Sequence, residues 1–175
     1  MKRSVKFLVL AITTALFFGC QKYGGEGELA VRMTDAPGNY DSVMVEVETV
    51  QVHYAGGQGW TTLNTNNGIY DLLLLQDSVT VLIANQNSIP VGDITQMRVI
   101  LGDNNWVVVD STSHPLLLSS QDKTGIKINV NAPIQANTQM VIVLDFDAYE
   151  SIVEEGNGMY RLKPVIKVDS LYYVP

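Results

Sequence analysis

The sequence has a single cysteine, Cys20, and only two histidines, His53 and His114, in 175 residues. One thiol cannot close an internal disulfide, and so few soft ligands exclude a Cys-rich zinc module. Basic residues are scarce too: 11 Lys and Arg against 18 Asp and Glu leave a net charge of −7, which argues against a nucleic-acid-binding surface. No apolar run reaches the length of a comfortable membrane span, and there is no internal repeat. Ordinary apolar content with 14 Gly and 6 Pro sets aside disorder, collagen and coiled coil. The length fits one domain.

What is present at the N-terminus is an address. Lys2, Arg3 and Lys6 precede an apolar run over residues 7–18, which ends at Gly19-Cys20. Roughly a dozen apolar residues are too few to span a bilayer but suit the core of a signal peptide. The order resembles the lipobox of bacterial lipoproteins, although Phe17 and Phe18 are bulkier than usual there. It implies cleavage after residue 19, acylation of Cys20, and a membrane partner reached through the lipid. Removing residues 1–19 takes three of the basic residues and none of the acidic ones, leaving a net charge of −10. Such a domain is repelled by anionic headgroups and depends on its anchor. Residues 20–27, the lipidated Cys and a Gly-rich stretch, read as a flexible tether. The location expected is the bacterial cell envelope, periplasmic or facing outward from the outer membrane.

From residue 28 to 175 the pattern is that of one β domain. Val43, Val45 and Val47 alternate with Met44, Glu46 and Glu48, and the phase shifts at Thr49 before Val50 and Val52, which predicts a bulge. Further short strands are separated by turn signals such as Gly56-Gly57, Asn66-Asn-Gly68 and Pro90-Val-Gly92. This spacing predicts an all-β fold, an antiparallel sandwich. The runs 107–109 and 141–144 predict central strands covered on both faces, and Trp106 is expected to be buried. The stretch 71–77 lacks β-branching and reads as a short helical turn with Asp71 as its cap. A helix is predicted near 147–155, capped by Asp147 with Glu150 three residues later and stopped by Gly156.

Several blocks, in order, resemble one family. They are Met33-Thr-Asp-Ala-Pro-Gly-Asn-Tyr-Asp41 with the long strand after it, Tyr70-Asp-Leu-Leu-Leu-Leu-Gln76, Ile89-Pro-Val-Gly92 leading to Gly102, and Leu144-Asp-Phe-Asp-Ala148 running on to Val168. Together they are similar to the domain of unknown function 4382. The resemblance implies a β-sandwich, transthyretin-like or immunoglobulin-like, on a secreted or lipid-anchored bacterial protein. It implies no activity, and the family offers no catalytic residues to carry over.

Candidate sites must therefore come from the residues. Asp145 and Asp147 lie two apart, so on a continuing strand both would face one side, and with Asp35, Asp41 or Glu150 they could hold Ca²⁺. The favoured alternative makes Asp147 a helix cap and Asp145 an acceptor of backbone N–H groups at a sheet edge, with Asp35 and Asp41 bonding their own turn. No cofactor is otherwise called for. His53 and His114 lack any ligand spacing, and His114, before Pro115, reads as a loop residue. Ser111, Ser113, Ser119 and Ser120 lie in no nucleophile elbow. Trp60 and Tyr54 are the candidates for stacking on a ligand, with Tyr40, Tyr160 and Trp106 behind them. These observations favour a non-enzymatic binding or structural module of the envelope with a protein or glycan partner. A glycan-binding accessory lipoprotein is the sharper alternative, followed by a Ca²⁺-binding module and, last, a hydrolase.

Overall fold

The protein is described by a computed structural model that covers residues 24–36, 39–57 and 59–175. Residues 1–23, with the expected signal peptide and Cys20, lie outside the described residues, as do Pro37, Gly38 and Gln58. In chain order the strands are β1 (Glu26–Thr34), β2 (Ser42–Tyr54), β3 (Trp60–Thr62), β4 (Asn64–Thr65), β5 (Gly68–Asp71), β6 (Val81–Pro90) and β7 (Gly92–Leu101). There follow β8 (Trp106–Val109), β9 (Thr112–Leu118), β10 (Ile126–Ile134), β11 (Gln139–Phe146), the helix α1 (Ala148–Ser151), β12 (Ile152–Gly156), β13 (Met159–Leu162) and β14 (Ile166–Val174). The expected tether gives up its last two residues, because β1 starts at Glu26.

Two sheets form the sandwich. One has the order β14-β11-β1-β6-β4; the other runs β10-β7-β2-β8-β9-β13-β12, with β3 and β5 also paired to β2. The all-β sandwich is as the alternation predicts, but it is mixed and not purely antiparallel. β1 and β11 pair in parallel from Glu28 opposite Gln139 to Thr34 opposite Asp145, and β13 pairs in parallel with β9. Alternation tells which face of a strand is wet; it does not tell which strand lies beside it.

The core lies between the sheets. From β1 come Leu29, Val31 and Met33, from β11 Met140, Ile142, Leu144 and Phe146, and from β2 Val43, Val45, Val47, Val50 and Val52, all essentially inaccessible. The predicted bulge is present, as a register shift between Val47 and Thr49 against β7. In β11 the opposite face is also covered, with Val141 and Val143 buried. For residues 107–109 the expectation of full burial fails: only Val107 is buried, and Trp106, Val108 and Val109 are partly buried. β8 lies between β2 and β9, but its second face meets solvent.

Local chemistry explains the two caps. Asp71 accepts the Leu73 N–H at 3.1 Å and opens a 3-10 turn over Leu72–Leu75. Asp147 accepts the Glu150 N–H at 2.9 Å and opens α1. The helix expected to reach residue 155 stops after one turn. Ile152 and Val153 are β-branched and join β12, opposite Leu162 and Arg161 of β13. Pairing with a neighbouring strand overrides the weak helical pattern.

Candidate functional site

Parallel pairing brings the ends of β1 and β11 to the same end of the sandwich. Residues that follow them in the chain, Asp35 and Asp147, therefore meet there with Thr80, just before β6. We call this the far end, since β1 starts at the opposite one. On the outer face of the five-stranded sheet, side chains of β1, β11 and β14 border an open cleft of about 590 Å³ that extends to this end. Its carboxylates are Asp35, Asp77, Asp145 and Asp169, and Thr34, Ser78, Thr80 and Ser170 add hydroxyls.

Asp35 is 5% exposed. Its Oδ1 accepts the Ala148 N–H at 2.8 Å and its Oδ2 the Gln76 amide at 3.3 Å. Its bonds thus tie the end of β1 to α1 and to the residue after the 3-10 turn, and not to its own turn as expected. Burial pushes its pKa up to about 6, against the pull of these two donors, and the nearby charges of Asp145 and Asp147 add to the rise.

Asp145 is 7% exposed. Its Oδ2 pairs with Lys167 Nζ at 2.9 Å, and its Oδ1 is buried without a hydrogen-bond partner. Lys167 is raised above its ordinary pKa chiefly by that carboxylate. The expected role at a sheet edge does not hold: β11 lies inside the sheet, between β14 and β1. Nor do Asp145 and Asp147 share a strand face, because β11 ends at Phe146. Among the described residues no three His, Cys, Asp or Glu side chains converge so as to hold a metal ion. Asp41, too, bonds at long range, accepting the Ser111 N–H at 2.8 Å.

The aromatic candidates divide between the two ends. Tyr54 and Trp60 lie with the start of β1, where β2 finishes. Tyr54 donates its hydroxyl to the Pro90 carbonyl at 3.2 Å, and burial pushes its pKa up to about 12. One ring face of Trp60 is covered by the Arg98 guanidinium, 4.5 Å from the centroid, and His53 packs edge-on at 5.5 Å. Arg98 is held there by Gln51, whose Oε1 accepts its Nε–H at 2.6 Å. At the opposite end of β2, His114 lies in β9, opposite Val107, and not in a loop. Its ring meets Tyr160 at 4.8 Å. Tyr40 is raised above its usual pKa by burial first and then by Tyr149, Tyr160 and Glu154 nearby. His53 and His114 are therefore not brought together.

A family model described as a domain of unknown function, DUF4382, matches residues 26–164. The chain belongs to the DUF4382 family. The match starts with β1 and stops two residues before β14. No curated protein and no solved structure matches the chain. In this DUF4382 domain Asp35 and Asp145 thus lie within the matched span, whereas Lys167, Asp169 and Ser170 lie beyond it. The sequence joins Asp35 to Asp145 only as one of several alternative partners in a Ca²⁺ site; their shared surroundings depend on the parallel β1–β11 pairing. Asp77, Asp169 and the hydroxyls around them carried no local signal that could have found them.

Proposed function

We propose that this protein is a lipid-anchored, non-enzymatic binding module of the bacterial cell envelope, held by acylated Cys20 and presenting the far end of its sandwich away from the membrane. The observation that carries this reading is the placement of β1. The charged, apolar and Gly-Cys segments precede it, and only residues 21–25 separate Cys20 from Glu26. Five extended residues reach at most about 18 Å, so the start of β1 stays near the bilayer. β1 then runs for nine residues, which carries Thr34 and the acidic cleft roughly 25–30 Å further out. The cleft and the loops around it are then the surfaces open to a partner, as loops on a rigid sandwich usually are.

Tyr40, Tyr149, Tyr160 and His114 at the far end support a second reading, in which the partner is a glycan. Their rings are the kind of surface on which sugars stack, and Tyr149 is exposed. Fractionation of cells that express wild type and Cys20→Ser tests the anchor. Wild type should sediment with membranes, and the variant should be soluble or unprocessed with its fold intact. A processed, membrane-bound Cys20→Ser form would overturn the reading. A glycan array probed with residues 24–175 separates the second reading from the first.

A further inference from the structure

An acid that borders the cleft has an unmet demand. A buried acceptor oxygen without a donor is costly and rare in folded proteins, and Asp145 Oδ1 is such an atom. The residues that border the cleft are rich in acceptors and include no basic side chain. The two cations nearby are already engaged. Lys167 binds the other oxygen of Asp145, and Arg32 is held by the Thr80 hydroxyl at 2.7 Å and the Thr80 carbonyl at 3.1 Å.

We propose that this cleft binds an organic cation, a ligand presenting a primary ammonium or a guanidinium, with the Asp145 carboxylate among its acceptors. Three observations select that chemistry. First, the space of about 590 Å³ is far larger than the roughly 30 Å³ of one water. Second, the acids do not converge on a point as a metal ion requires, whereas separate N–H groups can reach separate acceptors. Third, the ring of Tyr172, 47% exposed, borders the same cleft and offers a face to a cation. The proposal does not depend on the lipid anchor, and its test is separate.

Calorimetric titration of residues 24–175 at low ionic strength with spermidine and with a triarginine peptide tests it, alongside Ca²⁺ and maltose. Saturable binding of spermidine or of triarginine is expected, and the tighter of the two identifies the source as a free polyamine or a basic peptide. Asp145→Asn should weaken binding at least about tenfold. Asp169→Asn should weaken it by a smaller factor, and as the side chain is exposed it carries the test if Asp145→Asn does not fold. Glu48→Gln, on an exposed position of β2, should change nothing. Absence of saturable binding by both probes would overturn the proposal. So would equal losses in Glu48→Gln and the cleft variants, or tight binding of Ca²⁺ that Asp145→Asn abolishes.

Discussion

Replacing Asp35 by Asn should stabilise the protein at neutral pH and do little in acid. The carboxyl is buried where the native state holds its proton more firmly than the unfolded chain does, with a pKa of about 6 against an ordinary 3.8. Its contribution is therefore intact below about pH 4 and is lost as pH rises through about 6. A displacement of roughly two pKa units corresponds to about 3 kcal/mol against a neutral side chain once the carboxyl is ionised in both states. Asn retains the shape and keeps an oxygen for the Ala148 N–H, and the Gln76 amide can turn to accept from the new NH₂ group. Urea unfolding of both proteins at about pH 4.5 and pH 7.5 isolates this residue from every other titrating group. The advantage of Asp35→Asn should grow by about 2 kcal/mol between the two conditions. Parallel stability curves across that range, or an Asn variant weaker at the higher pH, would refute the reasoning.

Three further outcomes follow from the packing. In Gly27→Ala the new Cβ would collide with the Gln135 carbonyl oxygen and lie 2.8 Å from Ile134 Cγ2; chemical denaturation should show a loss of about 1–3 kcal/mol. Ser151→Ala should cost about 1–3 kcal/mol in the same assay, because the buried hydroxyl donates to the Asp147 carbonyl at 2.5 Å and accepts the Val165 N–H at 2.8 Å. Asp71→Ala removes the cap of the 3-10 turn and the acceptor of Ser42 Oγ at 3.0 Å; a loss of about 1–2 kcal/mol is expected, read as a lower thermal midpoint.

How much of this was legible in the sequence depended on how local the cause was. The faces of β2, the bulge at Thr49 and both Asp caps are dictated by near neighbours in the chain, and they could be read directly. The parallel β1–β11 pair joins residues more than 100 apart, and nothing in either strand's alternation names the other. From that pairing come the burial of Asp35 and Asp145 and the cleft beside them. The misplacement of His114 has a related cause. The Ser-rich, Pro-containing stretch from 111 to 115 reads as a loop, yet most of it belongs to β9, between β8 and β13, which holds His114 opposite Val107. Nor does the sequence show Arg98, which lies over one face of the Trp60 ring.

Intact-mass measurement of the protein extracted from membranes of a bacterial host tests the central claim most directly. The account predicts a chain that lacks residues 1–19 and starts at Cys20, heavier than its amino-acid sequence by the mass of a glycerol-linked set of acyl chains. An unmodified Cys20 within a longer chain, or an N-terminus elsewhere, would contradict it.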